Sequence, residues 1–167
     1  MKVLPLPSQA RLKELLDYNE ETGEFIWKKK SSISCRYKIG DIAGKRSKYI
    51  HIKVDKISYQ AHRLAWMYMT GEDPGETQID HFDENKHNNA FINLRKATHG
   101  QNKSNQGARK HNKLGIKGVY KVKTRYRASI TIDRKQIHLG SYATPEEAHK
   151  AYCEAADKYH GEFANYG

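Results

Sequence analysis

Ile79-Asp80-His81-Phe82-Asp83-Glu84-Asn85-Lys86-His87-Asn88-Asn89-Ala90-Phe91-Ile92-Asn93-Leu94-Arg95-Lys96-Ala97-Thr98-His99-Gly100-Gln101-Asn102 is the stretch whose reading decides the fold. An Asp-His pair ends a short apolar strand, a polar Asn-rich loop follows, and Asn93-Leu94-Arg95-Lys96-Ala97 returns as a second strand. Thr98 and Gln101 stand at capping-box spacing, so a helix is predicted to start between them and to carry Asn102 in its first turns. Asparagine is a poor helix former with nothing apolar to bury, so its presence there asks for another reason.

The chemistry these residue types can perform narrows that reason. Imidazole is the side chain best poised to accept a proton near neutral pH. A hard cation prefers carboxylate, amide and water oxygens, and takes few protein ligands when it must also hold a phosphate. On a strand, Asp80 and His81 point to opposite faces, so one can bind a metal while the other addresses water. Each residue alone is more often polar surface or turn; four at these spacings are not.

Asp80-His81, Asn93 and Asn102 resemble the HNH nuclease (ββα-metal) motif in the variant used by phage homing endonucleases. His81 and Asn93 lie twelve positions apart, and Asn93 and Asn102 nine, as in that family. The resemblance implies His81 as general base, Asp80 and Asn102 as ligands of one divalent metal, and Asn93 as the residue that braces the loop. It further implies Mg²⁺ as the metal, with Mn²⁺ as the alternative, and 5′-phosphate and 3′-hydroxyl products. One such centre cuts one strand; a double-strand break requires a homodimer or a second event. Asn85, Asn88 and Asn89 fall in the family's variable loop and receive no catalytic role.

Composition points to the same substrate. Lys and Arg number 30 against 19 Asp and Glu, a net charge of +11. No acidic residue occurs between Glu84 and Asp133, an interval holding Lys110, Lys113, Lys121, Lys123, Arg125 and Arg127 among others. One-signed charge over such a length is expected of a nucleic-acid track, so double-stranded DNA is the expected partner. Cys35 and Cys153 are two isolated cysteines, which supports neither a disulfide framework nor a cysteine zinc site. No apolar run approaches a membrane span and the amino terminus is not a signal peptide, so a phage or bacterial protein of the host cytoplasm is expected, with no membrane partner.

Around the organising stretch, an α+β fold is expected. Ser8 caps a first helix. Tyr49 to Val54 alternates as a strand that Asp55-Lys56 can turn, and a helix runs from Ala61 to Thr70, stopped by Gly71. Beyond a polar, basic linker at 107–114, three strands and a helix are predicted. That helix opens at Thr144-Pro145-Glu146-Glu147 and packs through Ala148, Ala151, Tyr152, Ala155, Ala156 and Tyr159. The sheet offers Lys121, Lys123, Arg125, Arg127, Gln136 and His138 to a groove.

This last module, through Gly118-Val119, Tyr126-Arg127-Ala128-Ser129-Ile130, His138-Leu139-Gly140-Ser141-Tyr142, Glu146-Glu147-Ala148 and Ala151-Tyr152, resembles the Apetala/ethylene-response-factor DNA-binding domain. The plant proteins' base-contact residues are not kept, with Tyr120, Val122 and His138 among those standing in their place. The expected organisation is an accessory α+β region (1–58), a nuclease core (59–106), the linker (107–114) and the Apetala-like domain (115–167). The competing reading is a non-catalytic, sequence-specific DNA-binding regulator.

Overall fold

The computed structural model describes residues 4–30, 36–108 and 112–167; Cys35 and Lys110 lie outside the described residues. The fold is α+β, built of small antiparallel sheets with helices beside them. The chain divides into two units, Met1–Ala97 and Thr98–Gly167.

In the first unit, Ser8 caps helix α1 (Gln9–Leu15), its hydroxyl accepting from the Arg11 N–H. Strands β1 (Leu16–Tyr18) and β2 (Phe25–Trp27) form a hairpin. Next come β3 (Lys45–Arg46), β4 (Ile50–Val54) and β5 (Ile57–Gln60), a meander in which Asp55 and Lys56 make the last turn with positive φ. Helix α2 (Ala61–Thr70) stops at Gly71 in the left-handed region. Strands β6 (Gln78–His81) and β7 (Leu94–Ala97) complete the unit as a two-stranded ribbon. Leu12, Leu15, Leu16, Phe25, Ile52, Val54, Leu64 and Ala65 are buried in one core that also takes Ile79 of β6 and Leu94 of β7. Each such leucine, isoleucine, valine or phenylalanine contributes about 1.5–3 kcal/mol by leaving water.

The hairpin also supports the β6–β7 loop. The Tyr18 hydroxyl donates to the Asn89 carbonyl at 2.6 Å, and the Phe91 N–H donates to the Glu20 carbonyl at 2.8 Å. Gly23 turns the hairpin with φ +74, and a Cβ there would overlap the backbone of Asn89 and Ala90. Both the conformation and the close approach demand glycine.

The second unit opens with α3 (His99–Asn105), where Thr98 and Gln101 form the expected capping box. Strands β8 (Val119–Val122), β9 (Arg125–Ile132) and β10 (Lys135–Tyr142) make an antiparallel sheet in the order β10-β9-β8. Helix α4 (Pro145–His160) starts with a second capping box, Thr144 with Glu147, and Pro145 in its first turn. Its Ala148, Tyr152, Ala155 and Ala156 are buried, with Val119, Ala128 and Ile130 of the sheet in the same clusters. Tyr159 departs from the expected stripe and is 46% exposed. The chain reverses there into a 3₁₀ turn, Gly161–Phe163, that buries Phe163 instead.

Two outcomes are expected. Gly23→Ala should cost at least about 2 kcal/mol of stability in urea unfolding, because it adds left-handed strain to a backbone clash. A second concerns His62, which is 5% exposed. Burial first, then the neighbouring His81, Arg63 and His51, push its pKa down to about 3. An unfolded histidine takes up a proton near pH 6.5 whereas folded His62 does not until about pH 3, so stability falls as pH drops through that window. The slope is up to about 1.4 kcal/mol per pH unit. His62→Phe should flatten it, measured as the difference in unfolding free energy between pH 7 and pH 4.5; an unchanged pH dependence would contradict a neutral His62.

Candidate active site

The β6–β7 ribbon fixes the register of the Asp-His pair. Asp80 lies directly opposite Arg95 and His81 opposite Leu94. Because paired residues share a face, the Asp80 carboxylate meets the Arg95 guanidinium, Nε to Oδ2 at 3.1 Å, with side-chain exposures of only 6% and 17%. His81 turns to the other side, among rings. Its imidazole lies edge-on to that of His62 with centroids 4.9 Å apart, and Tyr49 lies 5.2 Å from His62 and 6.3 Å from His81.

His81 is 4% exposed, and its Nε2 sits 3.1 Å from Oδ1 of Asn89. Burial pushes the His81 pKa below its ordinary value, opposed by the Asn89 hydrogen bond and by the charges of Asp83 and Asp80. The imidazole is therefore neutral at neutral pH, the form that can accept a proton. Asn89, itself 1% exposed, is the residue that sequence reasoning passed over as loop variability. Nothing local marks it. Its importance comes from a partner eight positions away across a turn.

Asn93 closes the loop between the strands. Its Oδ1 accepts from the Asp83 N–H at 3.0 Å, and its Nδ2 donates to Asp83 Oδ1 and to the Asn88 carbonyl, both at 2.8 Å. Asp83 also accepts from the Asn85 N–H and the Asn88 side chain. Burial works against the Asp83 charge, but the hydrogen bonds from Asn88, Asn93 and Asn85 outweigh it and hold the carboxyl below the usual range. Glu84 takes positive φ in this turn.

Asn102 lies on α3 in the second unit, its N–H donating to the Thr98 carbonyl at 3.0 Å. Among the described residues no three His, Cys, Asp or Glu side chains gather into a metal cluster. What the sequence motif offers a cation is one carboxylate and one amide, Asp80 and Asn102. Both present hard oxygens, a donor set that suits a Mg²⁺-type ion keeping most of its positions for water and phosphate.

In the carboxy-terminal sheet, cross-strand pairing groups Arg125, Arg127, Gln136 and His138 on one face. Tyr120 pairs with Arg127, Ser129 with His138 and Thr131 with Gln136. The Arg127 guanidinium lies 5.9 Å from the Tyr120 ring, and Arg125 donates to the Ser141 carbonyl at 2.7 Å. Lys121 pairs with Tyr126 and so stands on the opposite face, its ammonium 5.9 Å from that ring. Lys123 occupies the β8–β9 turn with φ 52, and Lys113 is exposed ahead of β8.

Residues 59–104 match the family model described as HNH endonuclease. An uncharacterized HNH endonuclease of Acanthamoeba polyphaga mimivirus is 32% identical over 114 residues, 68% of this chain. The chain spans 59% of that relative's length. Protein 3.8 of Escherichia phage T7 is 33% identical over 107 residues, 63% of this chain and 88% of the phage protein. An ethylene-responsive transcription factor-like protein of Arabidopsis thaliana is 42% identical over 41 residues, 25% of this chain and 18% of the plant protein. No solved structure matches. His62, Asp80, His81, Asn93 and Asn102 all fall inside the matched segment, and the chain belongs to the HNH endonuclease family.

Proposed function

We propose that this chain is a metal-dependent DNA endonuclease of the phage or mobile-element homing type, nicking one strand per active site. The observation that carries the reading is the Asp80–His81 pair, with both side chains withdrawn from solvent and turned to opposite faces of a ribbon. His81, neutral and held through Asn89, takes the proton of the attacking water. Asp80 and, from the spacing of the family motif, Asn102 are the ligands of the divalent cation, with Mg²⁺ preferred on the hardness of their oxygens. When bound, such an ion stabilises negative charge on the phosphate and the departing oxygen. Asn93 keeps the loop closed, so that neither Asp80 nor His81 swings out of place.

DNA selection falls to the neighbours of this centre. The Apetala-like reading of residues 115–167 is supported by the short likeness to the plant factor and by a three-stranded sheet backed by one helix. Arg125, Arg127, Gln136 and His138 would face the DNA, with Arg125 and Arg127 reaching the phosphates together with Lys113 and Lys123. That likeness also favours a second reading, a DNA-binding regulator without catalysis, and nicking separates the two.

On supercoiled plasmid with Mg²⁺ the wild type is expected to nick, chelation to abolish it, and His81→Ala to slow it by about 10²–10⁴-fold. Equal nicking by both proteins would remove His81 as the base, and an inert wild type would favour the regulator. Because the base works in its neutral form and its pKa lies below 6.5, the acid limb of the nicking rate should have its midpoint below that value; a midpoint above 7 would contradict it. Arg125→Ala with Arg127→Ala should lower the slope of log affinity against log salt by about two, read by fluorescence anisotropy on duplex DNA. An unchanged slope would take the sheet face off the phosphates.

A further inference from the structure

Phe82 follows the catalytic pair directly, yet it is 62% exposed, and Ile92 beside Asn93 is 94% exposed. The Phe82 N–H donates to the Asn93 carbonyl at 2.9 Å, so the two apolar side chains stand at the same end of the ribbon. A single exposed apolar side chain is ordinary, whereas two at one end of the ribbon, next to the Asp-His pair, make a surface that a partner can cover.

The placement of Phe82 is fixed rather than loose. It lies in the turn just beyond β6, two residues after Asp80, with its N–H tied to the Asn93 carbonyl. Arg95 links the two, its Nε 3.1 Å from the Asp80 carboxylate and its guanidinium 4.8 Å from the Phe82 ring centre. One ring face is thus backed by a cation and the other is open. Cleavage at Asp80–His81 brings the scissile phosphate to this edge, and the surface then runs from charged groups to an apolar ring, as a nucleotide runs from phosphate to base. In the sequence, Asp83 and Glu84 follow Phe82 and no further acidic residue occurs from Asn85 to Ile132, a one-signed stretch expected of a nucleic-acid track.

We propose that Phe82 is a wedge: its open face packs on the nucleotide beside the scissile phosphate and unstacks that base step, while Arg95 holds the ring from behind. The inference rests on the nuclease reading above. Unstacking loosens the duplex at the bond to be cut and lets the phosphate reach Asp80 and His81.

The test compares wild type with Phe82→Ala on two duplexes carrying a nick site mapped on plasmid. One duplex is fully paired and the other mismatched at the step beside the nick. Phe82 is exposed, so the variant should melt within a few degrees of wild type, about 3 °C. On paired DNA the variant is expected to lose at least about tenfold in kcat, and on mismatched DNA to come within about threefold of wild type, because the step is already open. Phe82→Trp should keep wild-type rates on both. Equal loss on both duplexes would mean that Phe82 only shields the Asp80–Arg95 pair, and no loss on either would mean that it touches nothing; each overturns the wedge. A wild type that nicks neither duplex overturns the nuclease reading and the wedge with it, whereas nicking by the wild type separates the two failures.

Discussion

The mutual hydrogen bonding of Asn93 and Asp83 is the constraint on which the site depends. Each supplies both a donor and an acceptor to the other, so the two ends of the β6–β7 loop are tied backbone to side chain and side chain to side chain. That closure sets the path of the loop through Asn88 and Asn89, and Asn89 in turn reaches His81. A carboxylate or a leucine at position 93 could not make the same set, because only an amide offers two donors and a carbonyl together. The His81 imidazole is therefore placed by a chain of polar side chains in the loop.

Much of the fold was legible because the deciding signals are local. Ser8, the Thr98–Gln101 and Thr144–Glu147 boxes, Gly71 and the Asp55-Lys56 turn each act within a few residues, and each stands where the sequence predicts. The ribbon and the Asp-His alternation were legible for the same reason. Asn89 was not. Its worth is set by a fold-level neighbour, and an Asn among Asn residues carries no mark of which one is buried. The face of Lys121 was equally hidden, since a strand register of one residue decides it, and that depends on pairing with Tyr126. Tyr159 fits the helical period but lies where the chain folds back on itself.

Charge is handled differently in the two units. In the first, Arg11 meets Asp55 and Glu14, Arg63 meets Asp73, and Lys96 meets Glu72, so these cations are answered by carboxylates within the fold. On the carboxy-terminal sheet, Arg125 is held by a backbone carbonyl and Arg127 lies beside an aromatic ring. Neither contact cancels a charge. Both arginines are oriented while their positive charge stays unneutralised by these contacts.

Gly23 reaches beyond its own turn. The missing Cβ lets the amino-terminal hairpin lie flush against Asn89 and Ala90, with Tyr18 and Glu20 bonding the same loop. A segment far upstream in the chain is thereby the floor under the β6–β7 loop. Grafting this ribbon onto another scaffold would require moving the hairpin along with it, since a transplant cut just ahead of α2 would leave the loop with its underside open to water.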